Sequence, residues 1–415
     1  MAHYCITQLC VIQLCVMDNP FEFGRELGTD ELVDRQDEVA AVIDTIRQGT
    51  KLFLIGPRRF GKTSILKAAE DRLAGKNALV LRFDAESFPS LDLLVTALIA
   101  AAAKSLKGKV ERVGDQITKF FSKIRPELSF SITEDAWNAK LGVNVATSQE
   151  AHVSLLVETL NGLEALAADQ PEARSVGLII DEFQKVIEIG GLQAGSQIRA
   201  AIQRHKRVGY VFAGSKTRML TDMTMDATRP FYRLGQIRFV GPVPRADFIH
   251  FLTTKFRRGG FGVEHSDAII RILQLAEDVP YNVQLLAHTC WYELRNQSAS
   301  NPAALSAGIV DAAMLLIARQ YDPFYTQIWS ALTTIQQKTL LAVINEAGSG
   351  LQSLKVSQFV GKGASTVQRS VGSLIEKDIL REEEHEGATR LRFQDPFFSQ
   401  WIRAFPARAA GLLLP

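Results

Sequence analysis

Lys51-Leu52-Phe53-Leu54-Ile55-Gly56-Pro57-Arg58-Arg59-Phe60-Gly61-Lys62-Thr63-Ser64-Ile65-Leu66 is the stretch on which the fold turns. Its opening run after Lys51 is apolar and suits a buried strand. Two glycines then bracket a loop, and a helix opens at Lys62. The spacing Gly56-x4-Gly61-Lys62-Thr63 is that of the phosphate loop of a nucleoside triphosphatase. The glycines let the backbone bend around an anion and turn its N–H groups inward. The helix N-terminus adds a positive partial charge. Lys62 is expected to reach the β- and γ-phosphates, and the Thr63 hydroxyl to bind Mg²⁺. A glycine-rich turn can match this spacing by chance, but strand, loop and helix in this order argue against it.

Downstream, the apolar run from Val176 to Ile180 ends in Asp181 and Glu182. Ligands bind at the carboxyl ends of strands in a parallel sheet. The run reads as a Walker B element, with Asp181 holding Mg²⁺ and Glu182 orienting and polarising the attacking water. The plainer alternative is a strand that ends in a solvated acidic turn. The strand from Tyr210 to Gly214 ends at Ser215, which suits a γ-phosphate sensor or, equally, a turn serine. Thr228 to Arg233 is cationic. Arg229 or Arg233 would meet a γ-phosphate in cis or from a neighbouring subunit, or else make a surface ion pair; Arg233 is the catalytic candidate of the two.

The rest of the chain arranges itself around these landmarks. An extended segment from Asp18 to Gly24 carries Pro20. A helix with Val39, Val42, Ile43 and Ile46 on one face follows, with Asp34 as its N-cap. Helix 62–73 stops before Gly75, and strand 78–83 and helix 91–106 come next. Residues 115–150 read as an insert containing a β-hairpin, 127–132 with 139–145. Helix 151–168, the Walker B strand, helix 196–206, strand 210–214 and strand 237–240 complete the αβ pattern. From Pro244 only helices are expected, at 244–257, 266–277, 280–297 and 303–319. Pro244 and Pro280 suit first helical positions. Helices 333–346, 353–360 and 364–378, then strands 379–382 and 389–393, read as a winged helix. Its third helix would expose Ser365, Thr366, Gln368 and Arg369 at the recognition position.

The expected division is a tail 1–17, a P-loop core 18–243, a helical lid 244–322, a winged helix 323–405 and a tail 406–415. The fold class is α/β, an αβα P-loop sheet with a helical lid and a winged-helix domain. Residues 1–17 are mostly apolar, with Cys5, Cys10 and Cys15 spaced evenly. They are too short for a spanning helix and lack a basic signal region, so they read as an upstream-start artefact or a disordered or partner-binding appendage.

Composition narrows the classes further. With 47 Lys+Arg against 45 Asp+Glu, the formal charge of +2 announces neither nucleic acid nor an acidic tail. The four cysteines form no disulfide framework or metal pair, which suits a reducing cytoplasm. The seven histidines are scattered, so no metal is expected beyond the nucleotide's Mg²⁺. No run suits a membrane span.

With these residues in hand, the chain from about 18 to 405 resembles the archaeal-type ATPase family within the AAA+/STAND P-loop ATPases. The resemblance rests on Asn19-Pro-Phe-x-Phe-Gly24, Asp34-Arg35-x-x-Glu38, Gly56-Pro57-Arg58-Arg59-x-Gly61-Lys62-Thr63-Ser64, Ile180-Asp-Glu-Phe-Gln184, Phe212-Ala-Gly-Ser215 and Asp395-Pro-Phe-Phe-x-x-Trp401. It implies bound ATP and Mg²⁺, a helical lid and a C-terminal winged helix. By the same match the loop residues from Gly56 to Ser64, with Phe60 among them, belong to the nucleotide site, while the side chains of Arg58 and Arg59 are open to solvent-facing ion pairs or to contact with a neighbouring subunit. Arg35 lies near the adenine, and Pro280 belongs to the lid's nucleotide-facing turn. That turn usually carries Gly-x-Pro; here it reads Asp278-Val279-Pro280.

Three functions compete. The first is an ATP hydrolase coupling nucleotide state to conformation. The second is a nucleotide-gated regulator with little turnover that binds double-stranded DNA or a protein through the winged helix. The third is a homo-oligomeric signalling ATPase with an arginine acting in trans. Between 333 and 405, nine Lys/Arg face eight Asp/Glu. That near balance gives the DNA reading weak support, since DNA readers cluster their phosphate contacts.

Overall fold

The computed structural model describes residues 18–28, 31–106, 128–133, 136–141, 149–168, 175–263, 265–297, 304–385 and 387–405. The expectations for the two tails and for most of the insert lie outside them. The chain divides into two compact units. One contains residues 24–244 with 279–281. The other contains 18–23, 245–278 and the chain from 282.

The first unit is built on five parallel strands, in the spatial order Ala78–Asp84, Ser175–Asp181, Val208–Gly214, Lys51–Ile55, Gln236–Phe239. Side chains alternate between the two faces of a strand, and both faces here are apolar. Leu52, Leu54, Ile179, Val211 and Ala213 face the helices Gln36–Gln48 and Lys62–Leu73. Phe53, Ile55, Leu178, Ile180, Tyr210 and Phe212 face the helices Leu91–Leu106, Gln149–Ala168 and Gln184–Ile202. The result is the αβα layering expected from near-continuous apolar strands. Gly209 permits the close approach of one helix: a Cβ there would lie 2.4 Å from the Thr45 carbonyl oxygen.

At the amino end of the sheet, His205 is only 6% exposed. Its Nδ1 lies 2.8 Å from the Tyr210 hydroxyl, and its Nε2 3.0 Å from Asn161 Oδ1. With Asn161 Oδ1 as acceptor, Nε2 carries the proton and Tyr210 donates to Nδ1. Burial holds the His205 pKa below its ordinary value, outweighing the opposite pull of Glu164. The folded state therefore takes up its proton at lower pH than the unfolded chain. Stability from this group is full above the unfolded imidazole range and declines as pH falls through the folded pKa. The decline is at most about 1.4 kcal/mol per pH unit. Thermal unfolding of wild type and His205→Gln between pH 8 and pH 5 should show the wild-type midpoint falling more steeply below about pH 6.5. Parallel profiles would contradict this assignment.

Several boundaries differ from expectation. Asp34 adopts φ +47 and does not cap; the N-cap is Arg35, with no side-chain cap bond. The helix expected at 196–206 runs from Gln184 to Ile202 with a break at Gly191, φ +73. Gly190 and Gly191 interrupt the apolar periodicity, so only its second half is legible. The hairpin is Leu128–Thr133 with Ala136–Leu141, its second strand earlier than expected. Helix Thr217–Met225 is short and mostly polar, and was not anticipated.

The second unit is mainly helical: Arg245–Arg258, Ser266–Leu275, the helix Pro280–Gln297 from its third residue on, Ala307–Gln320 and Asp322–Ser330. It is not helices alone, because Gly262–Val263 and Ala304–Leu305 pair as short parallel strands. Two-residue strands leave no period to read. The winged helix follows as helices Thr334–Asn345, Leu354–Val360 and Ala364–Glu376 and the antiparallel strands Leu380–His385 and Ala388–Phe393. A closing helix, Pro396–Ala404, packs Phe398 and Trp401 around Tyr325. Asp395 caps that helix through the Phe397 N–H and also accepts from Asn282 Nδ2 and the Tyr325 hydroxyl.

The segment 18–23 belongs to this unit too. Phe21 is 1% exposed and lies against Phe256, with ring centroids 4.6 Å apart. Asn19 donates to the His288 carbonyl, and Lys255 to that of Pro20.

Candidate active site

The carboxyl ends of the strands bring Lys62, Thr63, Asp181, Glu182 and Ser215 of the sequence-selected residues together. The loop from Gly56 joins strand Lys51–Ile55 to helix Lys62–Leu73. Gly61 takes φ +88 at the N-cap position and offers no side-chain cap. The first N–H groups of the helix are therefore without a cap from Gly61. Gly56 must be small, since a Cβ would lie 2.5 Å from the Val240 carbonyl oxygen.

Lys62 is 5% exposed, and its Nζ donates to the Gly56 and Pro57 carbonyls at 2.7 and 3.0 Å. Burial lowers its pKa against the opposing pull of Glu182 and Asp181. Thr63 Oγ1 donates to Asp181 Oδ2 at 2.8 Å. Burial raises the Asp181 pKa, and the Thr63 hydrogen bond only partly offsets it. A buried lysine and a buried carboxylate thus both bear a desolvation cost. Phosphates beside the lysine and a hard cation at the Thr63–Asp181 oxygens would relieve it. The donor set fits Mg²⁺, which takes one or two protein oxygens and keeps waters and phosphates for the rest.

Glu182 sits in a local interruption of the sheet. Asp181 pairs with Asp84, Glu182 adopts φ +49, and the Phe183 N–H returns to the Ala213 carbonyl at 2.8 Å. Phe183 is fully buried against Phe212, ring centroids 4.3 Å apart, which anchors the turn. Left-handed backbone at a non-glycine residue carries strain and persists where the surroundings hold it. Here the Glu182 carboxylate is turned to the neighbouring strand end. Its Oε2 accepts from the Ser215 N–H at 3.2 Å, from Ser215 Oγ at 2.8 Å and from Gln184 Nε2. Gln184 is 2% exposed. Gly214 makes room for it: a Cβ at Gly214 would lie 2.2 Å from Gln184 Oε1. Gln184 belongs to the motif Ile180–Gln184 but is given no role by the sequence; the structure places it against Glu182.

The loop arginines have distinct partners. Arg58 Nε reaches Ser215 Oγ at 3.4 Å, and its terminal nitrogen pairs with Glu86 at 2.8 Å. Arg59, at φ +70, lies over the Tyr281 ring, and its carbonyl accepts from the Tyr281 N–H at 3.4 Å. Pro280 opens its helix, as expected from its fixed φ, and Val279 and Phe60 share one core cluster. Ser64 Oγ accepts from the Leu27 N–H at 3.1 Å, so its described partner is the leading segment. Asp278, where the resemblance leads one to expect glycine, takes φ +56. Aspartate tolerates that conformation better than most residues, and Arg245 grips both its oxygens at 3.0 Å.

Arg35 and Arg233 are not joined to this cluster by any hydrogen bond or ion pair among the described residues. Arg35 is 5% exposed and donates to the Gly241 carbonyl at 2.6 Å and to Glu38 at 3.2 Å. Burial lowers its pKa. Beside it, Asp34, Asp37, Glu38, Arg238 and Phe239 line a recess of about 220 Å³. Arg233 is exposed at φ +52, with its guanidinium 5.1 Å from the Tyr232 ring centroid. Arg229 is exposed beside Asp226 at 3.9 Å.

On the winged helix, Ser365, Gln368 and Arg369 are exposed and Thr366 is half-buried. Arg369 turns back on its own helix, to the Ser365 carbonyl and the Thr366 hydroxyl. Arg392 lies between Glu383 and Glu277, at 3.1 and 3.8 Å. Arg381 is 8% exposed and donates to the Phe393 carbonyl. No group of three or more metal-type ligands occurs among the described residues, and no helix among them is long and apolar enough to cross a membrane.

A family profile described as a probable winged helix domain matches residues 323–404. No curated protein matches the chain. Among solved structures, a Walker-type ATPase of Pyrococcus abyssi superposes with a TM-score of 0.60 at 15% identity, over 92% of this chain and 99% of that one. The ORC2 protein of Aeropyrum pernix, solved as ADPNP–ADP complexes, superposes with a TM-score of 0.52 at 13% identity, over 92% of this chain and 95% of that one. At these identities the likeness is one of fold: an AAA+-like P-loop core with a C-terminal winged helix.

Proposed function

We propose that this chain is a Mg²⁺-dependent ATPase of the AAA+/STAND type, in which nucleotide state is coupled to conformation. One observation carries the reading. The Thr63–Asp181 oxygen pair stands beside the buried Lys62 ammonium, and the Glu182 carboxylate is braced at the next residue. The uncapped helix start and Lys62 would bind the phosphates of ATP. Thr63 and Asp181 would hold Mg²⁺, which supplies charge neutralisation for the phosphates. Glu182 would orient a water for attack on the γ-phosphorus. The new P–O bond forms as the bond to the bridging oxygen breaks, ADP leaves with that oxygen, and Glu182 takes the water's proton. Ser215 then serves as the brace of Glu182.

The expected result is slow ATP turnover that stops when Mg²⁺ is chelated. Tight ATP binding with no Mg²⁺-dependent turnover would leave the alternative, a nucleotide-gated binding protein.

The winged helix is read as a structural and protein-facing module rather than a DNA reader. Arg381 and Arg392 are engaged within the unit and Arg369 lies along its own helix, which leaves Lys362 and Lys377 among its exposed cations. A duplex-binding face needs unengaged cations in a cluster. Turnover or affinity that responds to duplex DNA at low salt, and loses the response as salt rises, would reverse this part. A trans-acting role for Arg233 in a homo-oligomer fits its exposure, and mixing Arg233→Ala subunits with Lys62→Ala subunits tests it: a mixture no more active than its components rules the trans role out.

A further inference from the structure

We infer that Arg58 is a positioning residue for Glu182, acting through the Ser215 hydroxyl. Three groups lie in sequence: Arg58 Nε to Ser215 Oγ at 3.4 Å, Ser215 Oγ to Glu182 Oε2 at 2.8 Å, and the Ser215 N–H to the same carboxylate oxygen at 3.2 Å. A hydroxyl has one proton and two acceptor positions. A guanidinium only donates and stays charged. With Arg58 on an acceptor side of Ser215, the hydroxyl proton is committed to Glu182. The hydrogen bonds then run in one direction, Arg58 to Ser215 to Glu182, and each polarises the next.

The outer side of Arg58 is fixed as well. Glu86 accepts from its terminal nitrogen at 2.8 Å, and the Glu86 N–H is held by Asp84 Oδ1 at 2.9 Å, at the end of strand Ala78–Asp84. Two strand ends and the phosphate loop thus converge on one oxygen of Glu182. Its other oxygen, Oε1, accepts no hydrogen bond among the described residues and is the one left to face a water.

The Arg58–Glu86 pair is 46% and 50% exposed. Exposed pairs of this kind contribute little to stability, so the fold does not account for Arg58 and Arg58→Ala should fold. Nor does Arg58 substitute for Lys62: its described partners are Ser215 and Glu86.

The kinetic arm of the test rests on the ATPase reading; a second arm does not. In steady state, Arg58→Ala should lower kcat roughly tenfold with KM for ATP within about twofold, because brace and chemistry are affected rather than binding. Ser215→Ala should lower kcat at least as much. The double variant should be no worse than Ser215→Ala to within about twofold, since residues acting in one chain are not additive. Losses that multiply, or a raised KM with kcat intact, overturn the inference. Without nucleotide, hydrogen exchange at the Ser215 amide should be roughly fivefold faster in Arg58→Ala than in wild type. Unchanged exchange overturns the inference whether or not the protein turns over ATP. A wild type that binds ATP through Lys62 and hydrolyses none would overturn the ATPase reading alone, and the exchange arm would still decide the role of Arg58.

Discussion

Glu182→Gln is expected to reduce kcat for ATP by about 10²–10³-fold while leaving ATP affinity nearly unchanged. The geometry makes this a clean substitution. Three donors converge on Glu182 Oε2: the Ser215 N–H, the Ser215 hydroxyl and Gln184 Nε2. A glutamine keeps an oxygen at that place and sets its amide nitrogen at the other. The brace, the φ +49 backbone and the Phe183 anchor all survive. What is lost is the carboxylate that the proposed mechanism uses as proton acceptor. Steady-state hydrolysis and equilibrium binding of ATP, measured on the same preparation, check both halves. Turnover equal to wild type would remove Glu182 from the chemistry.

Lys62→Ala should weaken ATP binding by about 10²-fold or more, as two charge-assisted bonds to phosphate are each worth about 1.5–3 kcal/mol. The geometry of the lysine suits that proposed role. It is almost fully buried, donates to two loop carbonyls, and has its charge disfavoured by burial. A group in that position raises the cost of the protein without ligand, so its removal should leave the unfolding midpoint in the absence of nucleotide close to wild type. Titration calorimetry with ATP and thermal unfolding without it separate the two effects. Undiminished ATP affinity would place the phosphates elsewhere, and a collapse of the midpoint would make Lys62 a structural residue.

The core was legible where local pattern and tertiary contact agree. Helices Lys62–Leu73 and Leu91–Leu106 have the bounds that their apolar periodicity and flanking residues imply. The strands around Lys51–Ile55 and Ser175–Asp181 are apolar on both faces, which only a doubly covered sheet explains. The Thr63–Asp181 contact is legible by spacing, since both residues belong to recognisable segments. The brace of Glu182 is not. It depends on strand Val208–Gly214 lying between strands Lys51–Ile55 and Ser175–Asp181, and on a left-handed residue that turns the carboxylate sideways. Neither strand order nor the sign of φ is written in a window of residue types. The same holds for Arg58, whose partners Ser215 and Glu86 come from distant strand ends. Helix Gln184–Ile202 was half-visible because the Gly190–Gly191 pair erases the period at its centre.

Phe21 carries a consequence in time. Its partners lie far along the chain: its ring packs on Phe256, its carbonyl faces His288, and the carbonyl of Pro20 takes Lys255. The sequence separations of these bonds are 267 and 235 residues. At a synthesis rate of about 5–20 residues per second, this leading segment emerges from the ribosome roughly 10–50 s before its partners exist. The sheet unit, by contrast, has all its strands out before the second unit has begun its first helix. A newborn chain therefore carries Phe21 without its packing partners while the five-stranded unit forms behind it.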